Sequence, residues 1–166
     1  MIAAPCLFRQ TNTRRDEAKI DLTNVLHVSS RSIVSENAGT IRAANGVVGM
    51  AAGTEVFLKQ SGDERLAVQL TPTFDQALVG DGVKNSGLID SAQTELKAHG
   101  NLYALAINNG GMVRASGAIN KDGRVILSSS GGKISSTGTI AAQNRDGSGG
   151  MIALSSGAGG TTKVSG

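Results

Sequence analysis

The chain has 166 residues, enough for one domain, and it carries 23 glycines, a single cysteine and no tryptophan. Hydrophobic residues make up 39% but aromatics only 2% (Phe8, Phe57, Phe74 and Tyr103), which excludes a broad core and asks for a thin one of Ile, Val, Leu and Ala. Cys6 alone excludes an intramolecular disulfide framework and a cysteine-rich metal site; the net charge of +3, partly from Arg9, Arg14 and Arg15, comes without the basic stripe and interleaved aromatics of a nucleic-acid binder.

Residues 1–18 are expected to be irregular. Their apolar patch is about eight residues long and its charges follow it, the wrong order for a secretory signal. No run of eighteen apolar residues is present, so no transmembrane helix is predicted. These features leave two expectations: a cytoplasmic protein, or a piece of a longer chain whose export signal lies elsewhere. Ile20 to Val28 reads as one or two strands, and a regular pattern begins near Ile33.

From there two phrases recur. One is a glycine corner with a β-forming run: Asn37-Ala38-Gly39-Thr40-Ile41, Asn85-Ser86-Gly87-Leu88-Ile89, Ala115-Ser116-Gly117-Ala118-Ile119 and Ser136-Thr137-Gly138-Thr139-Ile140. The other runs from glycine to glycine over 46–62, 100–117, 123–138 and 149–166. Residues 59–82 interrupt the pattern, keeping one strand from Arg65 to Leu70 before an excursion with Pro72 and Phe74. The repeat resumes at Val83 and continues to Gly166. Its last copy reads like an interior one, which predicts a rod that continues in a longer natural chain. A domain of 19–166 with an irregular excursion at 59–82 follows.

Repetition near twenty residues is the mark of a solenoid. Ile119 to Ile140 spans 21 residues and Leu105 to Leu127 spans 22. Leu127 to Leu154 spans 27, the excess falling in the polar stretch from Asn144 to Gly149, which predicts a loop on the outside of a coil. Runs such as Arg124 to Ser128 and Met112 to Ala115 alternate with period two and are bounded by Gly, Ser and Asn, as strands are. Interior glycines would each cost a helix about 1 kcal/mol relative to Ala. The fold class predicted is all-β: a parallel β-helix with coils of about 21 residues.

Asn37, Asn85, Asn109 and Asn120 stand beside glycine-containing corners. Turn chemistry, with its tolerance of left-handed backbone, is the first reading; amide bonding from coil to coil is the second.

No catalytic, cofactor-binding or metal site emerges. His27 and His99 lack the spacing of a metal pair, and no Gly-x-Ser-x-Gly elbow supports a Ser-His-Asp triad. Gly132-Lys133 is followed by Ile134, so it fails as a phosphate loop. Arg145 to Gly150 resembles a calcium-binding glycine-aspartate loop only once, so a surface loop is the reading. The enzymatic alternative is a polysaccharide lyase or hydrolase, which would gather acids from successive coils into one groove. Asp90, Glu95, Asp122 and Asp146 are scattered, although the spacing of Asp122 and Asp146 would allow stacking on adjacent coils.

The stretch from Asn85 to Gly132 resembles the filamentous haemagglutinin family, the large secreted adhesins of bacterial two-partner secretion. Asn37 to Ala43, Asn85 to Ser91 and Gly100 to Leu105 follow that family's repeat, and Val47 to Leu58 resembles its alanine-glycine coil. The resemblance spans roughly residues 20–166. It implies a right-handed β-helix, in a non-enzymatic rod that leaves through an outer-membrane partner pore and acts, secreted or at the cell surface, by binding glycans or receptors. It implies neither membrane insertion nor a nucleic-acid partner. The family's signal peptide and Asn-Pro-containing motif are not visible here. Binding determinants are expected in 59–82 and 143–149, as many shallow contacts. The third reading is a non-functional remnant of a larger gene.

Overall fold

The computed structural model describes residues 19–21, 34–53, 55–58, 66–69, 80–99, 103–118 and 122–166. Arg9, Arg14, Arg15, Cys6, His27, Asn120, Ile119 and most of the 59–82 excursion lie outside the described residues.

Among the described residues the chain is all-β. In chain order the strands are β1 (Lys19–Asp21), β2 (Ser35–Asn37), β3 (Thr40–Ala52), β4 (Glu55–Leu58), β5 (Leu66–Gln69), β6 (Asp81–Asn85), β7 (Leu88–Ala98), β8 (Leu105–Asn109), β9 (Met112–Ala115), β10 (Arg124–Ser129), β11 (Lys133–Ser136), β12 (Thr139–Ala142), β13 (Met151–Ser155) and β14 (Thr161–Val164). Two sheets are wholly parallel, and β4 and β5 form a separate antiparallel pair. One parallel sheet has the order β14-β11-β8-β6-β2. The other runs β1-β3-β7-β10-β13, with β9 on β7 and β12 on β9.

The second sheet divides into two rows. In β7 both rows are continuous: Ser91 pairs with Ala115 in one, Gln93 with Arg124 in the other, and only Ala92 stands between. In β3 the junction is the bulge between Ala43 and Val47. Further along the chain, residues 116–123 and 143–150 separate the two rows. The polar stretch from Asn144 to Gly149 is thus an insertion between rows.

The repeat length differs from the sequence expectation. Asn85 and Asn109 are paired at a separation of 24, and Asn109 meets Ser136 at 27. Leu127 does pair with Leu154. Leu105, however, belongs to β8 and pairs with Asp81, in a different sheet from Leu127. The 22-residue spacing equated two leucines of different rows, because matching on residue type alone cannot say which sheet a strand joins.

In β9, β10 and β11 alternation sends every second residue to one core, whereas β3 and β7 are buried without a break over 46–52 and 91–96. Ile41, Ile89, Val113 and Ile140 occupy successive register positions, as do Met50, Leu96, Leu127 and Leu154, and Val83, Ile107 and Ile134. These residues form or pack on one hydrophobic cluster. Ile89, Leu96, Ile107 and Leu127 are fully buried, each contributing about 1.5–3 kcal/mol relative to exposure. The core is aliphatic, and Tyr103 is its only aromatic member among the described residues.

Between the two parallel sheets the chain turns at a repeated corner. The Asn37 carbonyl accepts from Ser86 and Gly87 N–H, that of Asn85 from Gly110 and Gly111, and that of Asn109 from Thr137 and Gly138. The next bond repeats too: Leu88 N–H to Gly39 O, Met112 to Gly87 and Thr139 to Gly111. The corners approach so closely that a Cβ on Gly87, Gly111 or Gly138 would fall on the carbonyl oxygen of the corner beneath. Glycine is required there by backbone proximity rather than by a left-handed φ.

Candidate functional site

Inside that corner the asparagine side chains form a column. Asn37 Nδ2 donates to Asn85 Oδ1 at 2.7 Å, Asn85 Nδ2 to Asn109 Oδ1 at 2.8 Å, and Asn109 Nδ2 to Ser136 Oγ at 3.0 Å. All four side chains are buried, and Asn85, Asn109 and Ser136 are fully so. Asn85 and Asn109 each accept on the oxygen from one neighbour and donate from the nitrogen to the next, so polar groups that would be costly in an aliphatic core are satisfied by one another. Asn37 also accepts from Gly39 N–H at 3.2 Å, a local turn bond. Turn chemistry is therefore the lesser role of these residues and the amide column the greater. The first reading of the asparagines is corrected for Asn37, Asn85 and Asn109, because sequence alone does not tell that the side chain points inward. The column ends at Ser136, whose partner in β14 is Val164.

Outside the core the charged side chains are taken up locally. Arg114 donates to both carboxylate oxygens of Asp90, Nε at 3.0 Å and Nη2 at 2.6 Å, in register across β7 and β9. Hydrogen bonding to Asp90 raises the Arg114 pKa. Lys84 donates to Glu36 at 2.8 Å across β6 and β2, and the same contact raises the Lys84 pKa. Asn108 Nδ2 meets Asp81 Oδ2 at 2.6 Å. Glu95 is buried in β7.

Asp122 and Asp146 do not stack. Met151 N–H bonds to Gly123 O, which sets β13 over β10, whereas Asp146 lies out in the turn bridged by Gln143 and Gly149. That turn is closed by its own groups. Asn144 N–H donates to Ser148 O at 2.8 Å, and Gly147 N–H to Asn144 O at 3.0 Å. Asp146 Oδ1 accepts from the Ser148 hydroxyl at 2.6 Å and the Ser148 N–H at 2.9 Å, and these bonds hold its carboxyl below the usual range. Asn144 Oδ1 ties the turn back to Gly123 N–H at 2.9 Å. Arg145, Asp146, Gly147, Ser148 and Gly149 are all exposed, so a pre-shaped tip projects from the sheet.

His99 lies at a corner, with Nδ1 2.6 Å from Ser130 Oγ. The two follow the paired residues Ala98 and Ser129, so this is a contact between neighbouring strands of one row that no sequence motif announces. Lys133 is an exposed strand residue of β11. Among the described residues, no group of three His, Cys, Asp or Glu side chains converges to hold a metal, and no helix is long and apolar enough to cross a membrane.

No family model, curated protein or solved structure matches this chain.

Proposed function

We propose that the parallel rows are the faces of a right-handed β-helix, and that the chain is a rod-like, non-enzymatic segment of a secreted or surface-exposed bacterial adhesin of filamentous haemagglutinin type. The observation that carries this reading is the in-register column of Asn37, Asn85, Asn109 and Ser136 beside the glycine corner. A column of that kind fixes successive corners over one another, and a rod assembled so is stiff enough to hold a binding tip away from a cell. The outward acids support the same reading, since Asp90 and Asp146 are each engaged by a neighbouring side chain. The partners proposed are glycans or receptors of another cell, with an outer-membrane pore as the route out.

The proposed contact is the self-closed turn at 143–149, with Arg145 at its exposed tip. Its shape is set before any partner arrives, which limits the ordering cost of binding. The test is adhesion of beads coated with the full chain to glycan arrays and cultured cells. Replacing Asn144–Ser148 by two glycines should abolish adhesion while leaving the circular dichroism of the sheet unchanged. Adhesion unaffected by that replacement, or absent from the unaltered chain, would sink the proposal.

A further inference from the structure

The chain holds two Asn-Gly dipeptides, Asn45-Gly46 and Asn109-Gly110. An asparagine followed by glycine is chemically labile, because no Cβ hinders attack by the next backbone nitrogen. That nitrogen bonds to the side-chain carbon Cγ, the Cγ–Nδ2 bond breaks, and the amide leaves as ammonia. Water then opens the succinimide at either carbonyl, giving aspartate or isoaspartate. No oxidant or cofactor is needed.

The two sites differ in burial and in the regularity of the strand around them. Asn45 is exposed and lies between Ala43 and Val47, where the pairing of β3 with β7 shifts register. Asn109 is fully buried. Its Oδ1 accepts from Asn85, its Nδ2 donates to Ser136, and the would-be attacking nitrogen of Gly110 donates to Asn85 O at 2.9 Å. Cyclisation at Asn109 would break all three bonds together and turn the carboxamide out of the core.

We propose that Asn45 is a site of spontaneous deamidation in the folded protein, and that Asn109 is an equally labile site which the amide column closes once the chain folds. Reaction at Asn109 then proceeds only from an opened or unfolded chain, at a rate reduced by the opening equilibrium. The consequences differ as well. A change at Asn45 alters an exposed bulge. Isoaspartate at position 109 lengthens the main chain by one atom at the corner that follows β8 and replaces the carboxamide, so a chain that reacts there before folding can no longer form the column.

The test is incubation of the full chain at mildly alkaline pH, with and without urea, followed by peptide mapping and isoaspartate quantification. In urea both asparagines should convert at similar rates. In buffer Asn45 should convert while Asn109 is slowed by more than about tenfold. Gly110→Ala serves as a control, since a Cβ there meets only Thr137 Oγ1 at 3.8 Å. That variant should fold, and should lose conversion at Asn109 in urea. Equal rates at Asn109 with and without urea would overturn the proposal, as would an Asn45 that stays intact in buffer while converting in urea.

Discussion

Asn85 Nδ2 and Asn109 Oδ1 are joined at 2.8 Å across 24 residues of sequence, with both side chains fully buried. Because each amide is donor to one neighbour and acceptor from another, removing one leaves two partners stranded. Asn109→Ala should therefore destabilise the protein by about 3 kcal/mol, combining unsatisfied buried groups with a cavity. Asn37→Ala, at the end of the column, should cost roughly half as much. Urea unfolding with unchanged m-values would measure both.

Neighbouring glycines should behave in opposite ways. A Cβ on Gly111 would fall on the Gly87 carbonyl, whereas one on Gly110 has room. Gly111→Ala should cost several kcal/mol or prevent folding, while Gly110→Ala should fall within about 1 kcal/mol of the parent. Thermal unfolding of the pair decides this.

The outward ion pairs should matter little. Lys84 and Glu36 side chains are 43% and 50% exposed, so Lys84→Ala should change stability by less than about 1 kcal/mol despite the short contact. A loss as large as that of Asn109→Ala would mean the exterior, not the column, holds the corners together.

The projecting turn should open in acid. The Ser148 hydroxyl and N–H hold Asp146 below the usual carboxylate range. A carboxyl lowered in the folded state stabilises it fully above the unfolded value, and that contribution disappears as pH falls through the lowered folded value. The Ser148 amide resonance should therefore shift at a pH below about 3.9, the ordinary aspartate value, and Ser148→Ala should move the transition upward toward it.

Much of the architecture was legible in the sequence, and the reasons differ by element. Period-two runs between glycines marked β9 and β10 to within a residue or two, because alternation is a local property. Arg65 to Leu70 contains β5, yet its antiparallel pairing with β4 was not readable from composition. The 27-residue step from Leu127 to Leu154 was measured on true partners, while the 22-residue step from Leu105 was not. Register is a tertiary choice, and two leucines in similar local phrases do not reveal it. The asparagine column needed the direction of each side chain, which a corner residue's neighbours leave open. His99 with Ser130 and Arg114 with Asp90 join residues from successive strands of a row, so their pairing became visible only once the register was known.

Everything rests on the stacking of β13 over β10 at a separation of 27, as in the bond from Ser129 Oγ to Ser156 O. Ser128 and Ser155 are partners there, and parallel neighbours lie about 4.8 Å apart, within disulfide reach. In a Cys6→Ser background, Ser128→Cys/Ser155→Cys should form an intramolecular cross-link on mild oxidation. Ser128→Cys/Gly149→Cys, spaced at the 21 residues of a coil without the 143–149 insertion, should not. Efficient linkage of the second pair and none of the first would contradict the register of β10 and β13, and with it the stacking of strands on which the proposed rod depends.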